Sequence, residues 1–206
     1  MAFQSIWYFT NLPEKIVDLI EQDLTENFDP HLRDSELTGN VVNKSLRNSK
    51  NAWMPTDHWV SGFLWHYIQR ANRDNFNYDL RNIDGENIQY TQYGEGMFYN
   101  WHNDSGLRGQ YKPVAGNGNK EGMAQDFVNQ NTELVRKLSF ALQLSDPDDY
   151  EGGNVQIMDE TEKCYVVPRK RGTIVLFDSR SRHRVCKVTK GIRKSLVGWV
   201  VGPRWK

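Results

Sequence analysis

The chain has 206 residues and a mass of 24.1 kDa, with 26 Lys+Arg against 26 Asp+Glu and a pI near 7.0. That length suits one domain with a sizeable core, and the charge balance excludes a uniformly basic nucleic-acid binder or an acidic disordered tail. Hydrophobic residues at 38% and aromatics at 12% are too many for a disordered chain, and a mean hydropathy of −0.73 argues against membrane spans.

In chain order, Asn11-Leu12-Pro13-Glu14 carries the cap, early proline and following glutamate of a helix start. Ile16, Leu19, Ile20 and Leu24 then follow at helical spacing. A second helix is expected from about Thr56, with Trp59, Val60, Phe63, Leu64, Tyr67 and Ile68 on its buried face. After Asp84-Gly85 the period becomes strand-like, in Ile88–Tyr93 and then Met97–His102. Residues 105–134 are glycine- and asparagine-rich without a period, the pattern of a lid or a disordered loop. Short strand candidates recur from there: Leu138–Leu144, Asn154–Met158, Lys163–Val167, Thr173–Asp178, His183–Val188 and Arg193–Val201. Helices followed by many short strands predict a mainly β domain, an antiparallel barrel or jelly roll on a helical support. Without a linker, residues 1–206 read as one domain, with 1–80 as the support and 85–203 as the β core.

The zero net charge conceals a split. Residues 1–162 hold 13 Lys+Arg and 25 Asp+Glu, net −12, whereas residues 163–206 hold 13 and 1, net +12. Either basic strands neutralise acidic elements elsewhere, or the C-terminal segment builds a cationic site for an anionic ligand. No basic, apolar and small-residue series at the N-terminus resembles a signal peptide, so an intracellular, cytoplasmic location is expected. Cys164 and Cys186 are too few for a disulfide scaffold; on adjacent strands they could face each other, reduced in such a compartment. His58 and His66 on the second helix, and His31 beside Pro30, read as surface or capping residues.

In His102-Asn103-Asp104, positions i and i+2 of a strand share a face, so both side chains can reach one ion. Alone, such a pair is more often a strand-end hydrogen bond than a metal site. His183 begins another strand candidate downstream of the apolar run Thr173–Phe177. Two histidines and a carboxylate separated by a jelly-roll pattern fit the facial triad of non-haem Fe(II) oxygenases, which leaves coordination positions open. Arg193 then follows in Gly191-Ile192-Arg193-Lys194, and its guanidinium fork can bind a carboxylate through two parallel hydrogen bonds.

Several stretches carry a resemblance: Tyr93-Gly94-Glu95-Gly96-Met97-Phe98-Tyr99-Asn100-Trp101-His102-Asn103-Asp104, Leu138 to Gly153, Gly172 to Phe177, His183-Arg184-Val185, and Gly191-Ile192-Arg193 leading to Gly198-Trp199. Over roughly residues 85–203 the sequence resembles the Fe(II)- and 2-oxoglutarate-dependent oxygenases of the prolyl 4-hydroxylase-like branch, nearest the PKHD-type hydroxylases. The first 80 residues match only through Arg47-Asn48-Ser49 and Trp53. The resemblance implies a double-stranded β-helix (jelly roll) with N-terminal α-helices. It implies His102, Asp104 and His183 as Fe(II) ligands, and Arg193, Tyr93 and Ser139 around the distal carboxylate of 2-oxoglutarate. Tyr99, Trp199 and a lid arginine, Arg108, are implied at the substrate. Fe(II), 2-oxoglutarate and O2 are the implied cofactors, with ascorbate (vitamin C) as an auxiliary reductant. The implied reaction is hydroxylation of a C–H bond, with release of succinate and CO2, and a prolyl residue of a peptide or protein as substrate. A free amino acid, small molecule or nucleobase is the alternative substrate, the basic C-terminal segment keeping nucleic acid open. A non-catalytic jelly-roll binding module is the alternative class. The intact Asp104 argues against the related halogenases, in which that carboxylate is missing.

Overall fold

A computed structural model describes residues 5–35, 43–84, 88–105, 134–159, 161–203 and 205. Within them the elements run β1 (Ile6–Phe9), α1 (Glu14–Asn27), β2 (Arg33–Asp34), β3 (Arg47–Asn48), β4 (Lys50–Met54), α2 (Trp59–Ala71), β5 (Asn82–Ile83), β6 (Ile88–Tyr93) and β7 (Phe98–His102). They continue with β8 (Leu134–Gln143), β9 (Tyr150–Gly152), β10 (Val155–Met158), β11 (Cys164–Val166), β12 (Ile174–Asp178), β13 (His183–Val185), β14 (Val188–Gly191) and β15 (Arg193–Pro203).

The strands form a large sheet ordered β1-β12-β8-β15-β6-β4-β2, with β5 also on β15, and a smaller one ordered β11-β10-β13-β7-β3. All pairings are antiparallel, and a two-stranded ribbon of β9 and β14 closes one end. This is the expected mainly β, jelly-roll architecture with helices beside it. The first 80 residues do more than support it: β1, β2 and β4 belong to the large sheet, and β3 to the small one.

Strand alternation divides the large sheet into two chemistries. Its outer face carries Ile88 and Tyr90 of β6, Leu138, Phe140 and Leu142 of β8, Ile174 and Leu176 of β12, and Leu196 and Val200 of β15. These residues share one core with Val17, Ile20 and Leu24 of α1 and Val60, Leu64 and Ile68 of α2. Each such buried side chain contributes roughly 1.5–3 kcal/mol relative to exposure. Gly198 is required here, because a Cβ would come within 2.4 Å of the buried Phe140 ring on the neighbouring strand. The inner face holds buried Gln89, Thr91, Tyr93, Ser139, Gln143, Arg193 and Ser195. Polar side chains on the inside of a sheet mark the interior as a site.

The helices differ in detail from their sequence signals. Pro13, not Asn11, occupies the cap of α1, its carbonyl accepting from Ile16 and Val17, with no side-chain cap. His58 caps α2, its Nδ1 accepting from the Val60 amide at 3.4 Å. Trp59 is half exposed rather than on the buried face, and its indole N–H donates to Asp23 at 2.6 Å. The strand expected over His183–Val188 breaks after Val185, and β14 pairs with β9 instead. Cys164 and Cys186 do not face each other: β10 lies between β11 and the β13 segment, and both thiols are free.

The charge split is explained in part by contacts between the C-terminal strands and α1. Arg171 donates to Asp18 at 2.7 Å, to Glu21 at 2.8 Å and to the Leu144 carbonyl at 2.9 Å. Lys194 reaches Glu21 at 3.4 Å, and away from α1 Lys190 pairs with Glu151 of β9. Basic strands thus neutralise an acidic helix. Replacing Arg171 by Met is expected to lower the unfolding free energy by about 1–2 kcal/mol in urea denaturation, as a partly exposed, three-bond anchor is lost. An unchanged midpoint would contradict this anchoring role.

Candidate metal centre

His102 ends β7 and His183 begins β13, and the two are direct partners across the small sheet. The register shifts between His183 and Val185, a bulge that also brings Tyr99 inward, where its ring stacks on His102 at 3.5 Å between centroids. Asp104 follows two residues after His102, its backbone N–H donating to the Ser179 carbonyl at 2.9 Å. The three side chains converge as the spacing predicts. His183 Nε2 lies 3.3 Å and His102 Nε2 3.7 Å from the Asp104 carboxylate, and one ligand atom from each residue falls within 4.8 Å of the others.

Each ring is locked from behind. His102 Nδ1 is 2.7 Å from the Asn100 carbonyl, and His183 Nδ1 is 3.0 Å from the Ser181 carbonyl. A carbonyl only accepts, so both Nδ1 atoms carry hydrogens and both Nε2 atoms are turned to the centre. Burial and the neighbouring His183 lower the His102 pKa to about 4, against the opposing pull of Asp104, so the ring is neutral at neutral pH. Burial would raise the Asp104 carboxyl, but His183, His102 and the Ser139 hydroxyl outweigh it and hold it below the usual carboxylate range. Ser139 donates to Asp104 Oδ2 at 2.6 Å and is itself 3.0 Å from Ser179.

The structure sorts the other residues expected at the site. Tyr93 and Arg193 are direct register partners on β6 and β15, the Arg193 guanidinium lying 5.7 Å from the Tyr93 ring centre. Arg193 is buried, donates to Ser195 at 3.2 Å, and leaves its Nε without a partner. Burial lowers its pKa, with Tyr150 and Tyr93 opposing. Ser139 is engaged at the other end of the same face, four residues of β8 before Gln143, a backbone separation of about 13 Å. Trp199 is the register partner of Ser139, with its indole N–H buried and unpartnered. Arg108 lies outside the described residues, as does most of the 105–134 stretch.

Residues not anticipated surround these. Arg136 stacks over Trp199 at 3.9 Å, donates to Asp84 at 2.9 Å and reaches the Asp104 carbonyl at 3.5 Å. Arg47 lies over Tyr99 at 4.8 Å and is held by Gln89 at 3.0 Å and Ser49 at 2.9 Å. Burial pushes the Tyr99 hydroxyl up to about 12 despite Arg47. Gln143 and Ser195 could have been found from alternation, standing four residues after Ser139 and two after Arg193.

Residues 88–201 match the family profile of the 2OG-Fe(II) oxygenase superfamily. The chain belongs to that superfamily. A PKHD-type hydroxylase of Picosynechococcus sp. is 28% identical over 196 residues, covering 93% of this chain and 77% of the relative. One from Synechococcus sp. is 48% identical over 63 residues, a stretch that spans 31% of this chain and 28% of that relative. Among solved structures, a prolyl hydroxylase from Trichoplax adhaerens, in complex with a hypoxia-inducible-factor peptide fragment, superposes with a TM-score of 0.73 at 17% identity. It covers 96% of this chain and 84% of its own. A prolyl 4-hydroxylase from Pseudomonas putida gives a TM-score of 0.67 at 20% identity, covering 97% and 93%. These structural likenesses bear on the fold, which they share.

The family implies Fe(II), and the donor set fits it. Two imidazoles, each with its Nδ1 hydrogen turned outward onto a backbone carbonyl, and a carboxylate turn their remaining ligand atoms toward one another, an arrangement suited to a divalent cation. Asp104→Ala is expected to abolish Mn(II) binding in calorimetric titration, Mn(II) serving as a redox-stable substitute. Ser139→Ala, which frees one carboxylate oxygen, should weaken binding about 10- to 100-fold. Full affinity in both variants would rule out this centre.

Proposed function

We propose that the protein is an Fe(II)- and 2-oxoglutarate-dependent hydroxylase acting on a prolyl residue of a peptide or protein. One observation carries the reading. A cation-seeking triad on the small sheet, met by Ser139 of the large sheet, and a buried guanidinium without an acidic partner among the described residues, farther along the large sheet's polar inner face, flank one interior. A buried charge of this kind is costly until an anion joins it. A small 2-oxo dicarboxylate, chelating at one end and anionic at the other, satisfies both.

His102, Asp104 and His183 would hold the metal, whose chemistry is to couple O2 and oxidation of 2-oxoglutarate to succinate and CO2 with insertion of one oxygen atom into a C–H bond. Ser139, with Ser179 behind it, keeps the Asp104 carboxylate oriented, and the Asn100 and Ser181 carbonyls keep both rings in the ligating tautomer. Arg193 and Tyr93 receive the distal carboxylate of the co-substrate. Phe177, Val175 and Ile157 form an apolar cluster beside His183 that excludes water from the reacting centre.

The prolyl preference rests on the flank formed by Tyr99 and Trp199, aromatic surfaces suited to a pyrrolidine ring. Arg136, stacked on Trp199 beside Asp104, is placed to meet a substrate carbonyl, and Arg108 stays assigned as the lid arginine at the substrate. The ring stack and the bond to Asp84 hold Arg136 in position. A peptide is favoured over a nucleic acid because several C-terminal cations are committed to acids of this same chain. Two free thiols fit a reducing cytoplasmic setting, and no described helix is long and apolar enough to cross a membrane.

Anaerobic loading with Fe(II) and 2-oxoglutarate, followed by oxygen and a panel of proline-containing peptides, is expected to give a product one oxygen atom heavier, with equimolar succinate. Arg136→Gln should lower peptide kcat/KM by about 10- to 100-fold while leaving 2-oxoglutarate affinity unchanged. Hydroxylation of amino acids or nucleosides, with silence across the peptides, would refute the prolyl substrate and leave the oxygenase reading standing.

A further inference from the structure

Arg193 does not face its recess alone. Gln143, Tyr150, Gly153 and Arg169 line the same pocket between the two sheets. Arg169 is built into the wall: one guanidinium nitrogen, Nη2, donates to the Pro147 carbonyl at 3.0 Å and the Tyr150 carbonyl at 2.7 Å. The guanidinium also lies 4.3 Å over the Tyr150 ring. Backbone bonds and ring stack together leave the buried Tyr150 one orientation.

That orientation determines what its hydroxyl can do. The oxygen accepts from Gln143 Nε2 at 3.0 Å. A phenol has two acceptor sites and one hydrogen. With Gln143 on the acceptor side, the hydrogen is left to seek an acceptor, and no described residue supplies one at hydrogen-bond distance. Gly153, at φ +63°, leaves room for both side chains: a Cβ there would stand 3.1 Å from both Arg193 Cδ and Tyr150 Cε2. The Nε atoms of Arg169 and Arg193 are both buried without partners. Two like charges and a spare hydroxyl donor around one enclosed recess, with no carboxylate among its lining residues, describe an anion site.

We infer that Tyr150 donates its hydroxyl hydrogen to the terminal carboxylate of the 2-oxo acid co-substrate, and that Arg169 is the positioning residue that aims it, so that the pocket selects a dicarboxylate. The inference rests on the co-substrate reading above and adds two residues to Arg193 and Tyr93.

Calorimetric titration of the Mn(II)-loaded protein under argon tests it with two ligands: 2-oxoglutarate, and 2-oxopentanoate, which has the same carbon chain without the terminal carboxylate. Tyr150→Phe keeps the ring and should weaken 2-oxoglutarate about 10- to 100-fold while leaving 2-oxopentanoate unchanged. Arg169→Gln should act in the same selective way, by about tenfold. Arg169→Lys, which keeps the charge but loses the planar stack, should not restore the affinity. Equal losses for both ligands would reduce Tyr150 and Arg169 to wall packing, and unchanged affinities would remove them from the site; either overturns the inference. A wild-type protein that does not prefer 2-oxoglutarate to 2-oxopentanoate would instead refute the co-substrate reading itself, and this inference with it.

Discussion

Three ligand atoms, from two imidazoles and a carboxylate, held within 4.8 Å of one another are the constraint on which the rest of the molecule turns. Left to themselves, two imidazole lone pairs and a carboxylate would separate or protonate. They do neither, because each is fixed from outside the centre. The Asn100 and Ser181 carbonyls occupy both Nδ1 hydrogens, and the Ser139 hydroxyl occupies one carboxylate oxygen. Burial then depresses His102 toward the neutral form that can ligate. The convergence depends on strand register as much as on residue type: a one-residue slip of β13 against β7 would turn His183 to the other face of the sheet.

That register is secured at a distance. The outer face of the large sheet is locked onto α1 and α2 by a continuous apolar core, and the inner face is thereby freed for polar side chains. The same two-faced β15 carries Leu196 and Val200 into the core and Arg193 and Ser195 into the site. Charge follows the same division. Arg171 and Lys194 tie the basic C-terminal strands to Asp18 and Glu21 of α1, whereas Arg193 and Arg169 face a pocket lined by no acid. Neutralisation of acidic elements thus accounts for Arg171 and Lys194, and the proposed carboxylate pocket would account for Arg193 and Arg169.

Local signals in the sequence carry the two helices, most strands after Ile88 and the His102/Asp104 pair, because a two-residue period and an i, i+2 pair are properties of neighbouring positions, whereas distant His183 joins them through the facial-triad pattern and the family resemblance. What stayed hidden depends on distant partners. β1 is a short apolar run with no alternation of its own, and it becomes a strand by pairing with β12. β4 likewise needs β6 beside it. Arg136 was not legible because a register shift between Val200 and Val201 alters how β8 meets β15, and no local pattern announces a bulge. The resemblance implies Ser139 near the co-substrate carboxylate; the folded chain adds a contact no local pattern announces, its hydroxyl donating to Asp104, 35 positions away. Tyr150 sits after a turn rather than on the periodic strands, so only the folded chain brings it to Arg193.

On the proposed reading, the interior between the two sheets joins a metal centre at His102, Asp104 and His183 to a carboxylate pocket at Arg193. A crystal structure of the protein grown anaerobically with Mn(II) and 2-oxoglutarate tests it most directly. The account predicts one ion ligated by those three side chains, chelated by the 2-oxo acid, with the far carboxylate on Arg193. An ion bound elsewhere, or a 2-oxoglutarate whose far carboxylate lies away from Arg193, would contradict it.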